Sequence, residues 1–270
     1  MTSQYFVPPG SIVRRIWGKA DTVLFIFAGA AAEFALNKAV DWLYFTGRLP
    51  ADPLGRLFST VEYARRIVFA DRAGAERAIA SMAAIHAAVE AKRGLSIPAW
   101  AYRDVLFMLI AYSISGFEAL ERPLTAAEKA EITEVFGRVG RGMGIPDLPA
   151  SYPAWQAARA EHLARDLQPS RYTTDLFRQY RRHLGGWRYW LLRQAQWLVT
   201  PPPVRQLLGL RRGVALGLAL AVYRRTQGLA LSQWLRRSLL PAAWRAQILA
   251  LDVVPAAAAP AGCPMRAAAG

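Results

Sequence analysis

The chain has 270 residues, 54% hydrophobic and 20% charged, which excludes intrinsic disorder for its bulk and is long enough for one large domain. A single cysteine, Cys263, and three histidines exclude a disulfide framework, a cysteine-rich zinc or iron–sulfur site, and a multi-histidine metal centre. The formal net charge of +15 is concentrated between Arg171 and Arg245, which hold fourteen arginines, one acid (Asp175) and five of the nine tryptophans. Such a block suits anionic lipid headgroups, nucleic acid or an acidic partner, or else a solvated face whose arginine stems cover apolar surface.

The longest uncharged runs are thirteen residues, Val105 to Phe117 being one, against roughly 18–20 for a bilayer span. Residues 1–10 lack the basic start and apolar core of a secretory signal. The expectation is a cytoplasmic protein, with the inner face of the membrane as a peripheral docking place.

In chain order the pattern is helical throughout. Apolar periodicity predicts helices near 21–42 and 55–69, then an alanine-rich helix from Ala75 to Arg93 closed by Gly94. Val105 to Ile114 is apolar on all sides and reads as a fully buried helix. Thr125-Ala-Ala-Glu128 is a capping box, followed by Ile132, Val135, Phe136, Val139 and Met143 at helical spacing, with Gly144 and Pro146 as the stop. Further helices are expected over 151–166, 172–199, 204–227 and 231–249, with Pro201-Pro202-Pro203 separating two of them. No hairpin signal or sustained alternation is present. The fold class is all-α, one domain over 1–253 with a disordered Ala/Pro tail over 254–270.

Phosphate loops, nucleophile elbows and His-Glu-x-x-His motifs are absent. Two constellations remain. Arg56, Ser59, Thr60 and Tyr63 share one helix face, where a guanidinium, two hydroxyls and a phenol can meet a small ligand such as dioxygen; a solvated face has the same pattern. His86 falls on the inward stripe of Met82 and Val89, with Ala83, Ala84, Ala87 and Ala88 around it. Either it is a satisfied core histidine, or the alanines clear room for a flat group such as haem, which needs one axial histidine. His162 and His183 sit among charged neighbours and read as solvent-facing.

Four segments, arriving in order between Trp17 and Trp155, carry a family resemblance. They are Asp52-Pro-Leu-Gly-Arg56-Leu-Phe-Ser-Thr60, Ile85-His86-Ala-Ala-Val, Asp104 before the apolar helix, and Leu124-Thr-Ala-Ala-Glu128 leading to Met143-Gly-Ile-Pro146. This stretch resembles the haem-dependent oxygenases related to fungal MpaB and bacterial latex-clearing protein. The resemblance implies an all-α fold enclosing a haem b pocket, with His86 as axial ligand of the iron and dioxygen as co-substrate. It makes Arg56 and Thr60 the distal catalytic pair; Ser59 and Tyr63 on their helix face, and Met82 on the stripe of His86, are the further cofactor-side candidates. Ser59 stands where latex-clearing protein has a lysine. Glu33 and Asp41 are candidates for the carboxylate base known in that branch.

The function implied is oxygenation of an apolar small molecule or polymer, with oxidative cleavage of a C=C bond as the reaction weighed. The alternative is a non-catalytic haem sensor or carrier docked on anionic membranes through the basic half. Nucleic-acid binding is the weakest reading, since no recognisable module is present.

Overall fold

Short polar side chains start most of the helices. Ser11, Asp52, Asp71 and Ser151 each accept a hydrogen bond from a backbone N–H two or three residues on, satisfying a donor that the first turn leaves free. Thr125 and Glu128 close the expected capping box, and Ser170 with Thr173 forms a second one. The computed structural model describes residues 4–45, 47 and 52–213, apart from the side chains of residues 53, 54 and 56–58. The expected tail, Cys263 and the helices expected beyond residue 213 lie outside the described residues.

The described helices are α1 (Ile12–Trp17), α2 (Ala20–Phe34), α3 (Val40–Phe45), α4 (Pro53–Phe69), α5 (Arg72–Arg93), α6 (Ala99–Leu120), α7 (Ala126–Gly142), α8 (Tyr152–Arg165), α9 (Arg171–Val199) and α10 (Pro202–Leu207). Among the described residues β pairing is limited to two isolated bridges, Tyr5 with Asp71 and Asn37 with Leu167. The protein is all-α.

The single helix expected over 21–42 is two. Asn37 Oδ1 accepts from the Ala39 backbone N–H at 2.8 Å, a local turn that competes with helix continuation. The Asn37–Leu167 bridge, with Lys38 N–H donating to the Asp166 carbonyl, holds that break against the end of α8. α9 also departs from expectation, kinking at Gly185 (φ 74°, ψ 173°), a backbone geometry glycine supplies without a Cβ clash. The helix expected from 204 ends at Leu207, and Gly209 turns left-handed (φ 56°).

The core forms where α2 crosses α6 and α1, α4 and α7 pack around them. Gly116 lies at that crossing, where a Cβ would be in ordinary contact with Ile26 N and Phe25 Cβ at 3.4 Å. Trp17 is fully buried, edge-on to Phe27 and tilted against Phe136, with its indole N–H donating to Ser113 at 3.2 Å. Ile132, Val135, Phe136 and Val139 point into this core as their spacing predicts. α6 corrects one expectation. Val105 is 41% exposed, because the first turns of α6 keep one side toward solvent before the helix enters the core at Leu106.

Candidate functional site

α4 and α5 are joined by Ala70 and Asp71 and pack on each other. On α4, Ser59, Thr60 and Tyr63 are half-buried; the Arg56 backbone belongs to the same helix, while its side chain lies outside the described residues. Asp52 caps α4 at Gly55 N–H (2.8 Å), and Glu62 pairs with Arg66.

His86 is half-buried on α5, so its stripe faces inward only in part. Its Nδ1 lies 2.8 Å from the Met82 carbonyl oxygen, which makes Nδ1 the donor. His183 makes the same bond to Gln179 on the exposed part of α9, so this bond alone marks no site. What distinguishes His86 is its surroundings. Its immediate chain neighbours Ala84, Ile85, Ala87 and Ala88 are exposed, Ile85 at 44%. Tyr102 from α6 meets the imidazole edge-on at 5.3 Å, and its hydroxyl donates to Glu90 Oε1 at 3.2 Å. Burial, with the Glu90 carboxylate beside it, pushes the Tyr102 phenol up to about 12, so it stays a neutral donor that fixes the ring. Met82 contributes its carbonyl; its side chain packs on the core.

A second cluster, deep in the molecule, was only partly foreseen. Glu33 on α2 has no solvent exposure. Arg159 on α8 donates to both of its carboxylate oxygens, the Tyr112 hydroxyl donates to Oε2 at 2.6 Å, and His162 Nε2 lies 2.9 Å from Oε1. Burial would raise the Glu33 pKa, but the Arg159 guanidinium and the His162 hydrogen bond outweigh it and hold the carboxyl at about 2. Glu33 is therefore a locked anion, unsuited to act as a base. Asp41, the other candidate, is paired with Arg93 at 2.6 Å.

His162 corrects the sequence reading outright: it is 2% exposed, not solvent-facing. Its charged neighbours along the chain concealed partners far away, Glu33 and Asp104. Its Nδ1 lies 2.8 Å from Asp104 Oδ2 and 3.5 Å from Asp166 Oδ2. Neither contact meets hydrogen-bond geometry at Nδ1. Burial would lower the imidazole pKa, yet the Asp104 and Glu33 carboxylates raise it to about 9. Asn37 Nδ2 donates to Asp104 Oδ2 at 3.0 Å, and Arg165 donates to both Asp166 oxygens at 2.8 Å. The i, i+3 pair Arg159/His162 on a helix, together with an acid in the apolar run Ala28 to Leu36, was the signal that could have found this cluster.

The chain matches the family model described as the catalytic domain of ER-bound oxygenase mpaB/B'/Rubber oxygenase, over residues 14–231. No curated protein and no solved structure gives a match. Among the described residues, no helix is long and apolar enough to cross a membrane.

Proposed function

Because the chain belongs to the mpaB/B' and rubber oxygenase catalytic-domain family, we propose that it is a haem b-dependent oxygenase in which His86 is the axial ligand. The observation that carries this reading is His86 itself. Its imidazole has Nδ1 anchored to Met82 and Tyr102 packed edge-on against the ring. That donor set fits haem: one imidazole whose Nδ1 is turned to a carbonyl, which would leave Nε2 as the atom to hold the iron. Bound there, haem supplies the one-electron iron chemistry that activates dioxygen.

The chain's own residues do the rest. Arg56 lies 14 residues before Ala70 and His86 lies 15 after Asp71, about 21 and 22 Å along the two packed helices at 1.5 Å per residue. Arg56 and Thr60 donate hydrogen bonds to charge that develops on oxygen; arginine does so without any shift in pKa. Ser59 and Tyr63, half-buried on the same helix, extend this polar strip. Rubber, named for one relative, is an apolar polyalkene; the substrate proposed is likewise apolar and bears a C=C bond, and its oxidative cleavage is the reaction proposed.

α9 supplies the means of reaching such a substrate. Just past the Gly185 kink, Trp187 and Trp190 are 49% and 51% exposed, and Arg178, Arg181 and Arg182 are exposed before it. Exposed tryptophan beside arginine favours docking on anionic membrane, where apolar substrate partitions. A haem carrier would share all of this except turnover. Oxygen-electrode measurements with a polyprenyl alkene, coupled to detection of carbonyl products, test the proposal. Substrate-dependent oxygen uptake is expected; haem-loaded protein with no uptake on any alkene supports the carrier.

A further inference from the structure

We propose that Asp104, His162 and Asp166 form a binding site for a divalent first-row transition cation, one that ties α6 to the C-terminal end of α8. The three ligating atoms lie within 4.8 Å of one another, and all three residues are buried. Close acids alone would not make a site. The independent observation is His162 Nδ1, a buried nitrogen that faces two carboxylate oxygens and is aligned for a hydrogen bond to neither. Donor and acceptor align; ligands grouped around a shared ion need not.

The separations suit such an ion. Ligands about 2.1 Å from a common ion and 2.8 Å apart subtend about 84°, and those 3.5 Å apart about 113°, bracketing the octahedral and tetrahedral angles. The outer shell is also in place. His162 Nε2–H donates to Glu33, the carboxylate–histidine–metal arrangement that fixes ring orientation and raises ligand basicity. Glu33 is held by Arg159 and Tyr112, Asp104 by Asn37 and Asp166 by Arg165, so each ligand is already oriented. The carboxylates of Glu33, Asp104 and Asp166 face the guanidiniums of Arg159 and Arg165 and the His162 imidazole. Cation binding displaces the Nδ1 proton to solvent. One imidazole with two carboxylates, and no thiolate, suits Zn2+, Mn2+ or Fe2+ over soft metals, with Zn2+ tightest of these. The site is separate from His86 and does not depend on haem.

The experiment is equilibrium dialysis of the chelator-treated full chain against Zn2+ or Mn2+, with elemental analysis and thermal denaturation. The wild type is expected to retain one equivalent of Zn2+ through gel filtration and to melt at higher temperature with it. His162→Gln and Asp166→Asn should each weaken Zn2+ binding at least tenfold, while His86→Ala and His183→Ala leave it unchanged. Circular dichroism of each variant guards against misfolding; if His162→Gln does not fold, Asp166→Asn decides. A wild type that retains no zinc, or zinc uptake that persists in folded Asp166→Asn, overturns the proposal in favour of a protonated His162 bridging its carboxylates.

Discussion

Gly29 on α2 lies directly against the ring of Tyr112 on α6: a Cβ built on Gly29 would sit 2.2 Å from Tyr112 Cδ1. The Tyr112 ring cannot step aside, because it is fully buried and its hydroxyl is bound to Glu33. This contact sets how closely the two central helices cross. Gly29→Ala should therefore destabilise the protein by about 1–3 kcal/mol through overpacking, although alanine is the better helix former. A denaturant titration checks this, with Gly186→Ala, where a Cβ meets nothing within 4 Å, as the control expected to show little change.

The Glu33–Arg159 pair joins α2 to α8 with both side chains removed from water. Removing one partner strands the other charge in the core, so Arg159→Met should cost about 3–5 kcal/mol. A double substitution, Glu33→Gln with Arg159→Met, should cost less than the sum of the two singles. The pH dependence follows from the same pair. In the unfolded chain the Glu33 carboxyl takes up a proton near its ordinary 4.5, whereas in the folded protein it resists until about 2. Its contribution is thus complete above pH 4.5 and is lost as pH falls from 4.5 toward 2. Acid unfolding curves should show a shallower loss for Glu33→Gln over that window.

Under the proposed function, substitutions at Arg56 and Thr60 should separate catalysis from cofactor retention. Loss of one preorganised donor costs about 2.7–4 kcal/mol of transition-state stabilisation, so Arg56→Ala should lower turnover by roughly a hundredfold or more. Thr60→Val keeps the shape, removes the hydroxyl and should cost less. Both variants should keep a full haem spectrum. Unchanged turnover in Arg56→Ala would leave it a solvated arginine, worth at most about 1 kcal/mol.

Helix starts were legible where the signal is local. The Thr125–Glu128 box and the stripe through Val139 both occur as the residues specify, because a cap and its partner lie within one turn. Distant partners were not. His162 was misread because Glu161 and Arg165 dominate its neighbourhood, while Glu33 and Asp104, which bury it, come from α2 and α6. The break at Asn37 was missed although its Ala39 bond is local, because Leu167 and Asp104, which hold it in place, are distant along the chain. Glu33 was noticed as a carboxylate, but its role depends on Arg159 and Tyr112, which no spacing along the chain connects to it.

Membrane docking through α9 predicts that the full chain sediments with anionic vesicles at low salt, much less with neutral ones, and is released by high salt. Each arginine near the surface contributes about 1 kcal/mol. Trp187→Ala with Trp190→Ala should weaken the association without changing its salt dependence. Equal binding to both vesicle types would leave these arginines a solvated face.

The most direct measurement is the absorption spectrum of the purified protein beside its His86→Ala variant, with haem quantified in each. The wild type should carry one haem b per chain. His86→Ala should lose or sharply weaken it, while His162→Ala and His183→Ala should not lose it through any change of iron ligand. Full and spectrally unchanged haem in His86→Ala would contradict His86 ligation, and a wild type that binds no haem would contradict the haem-dependent reading altogether.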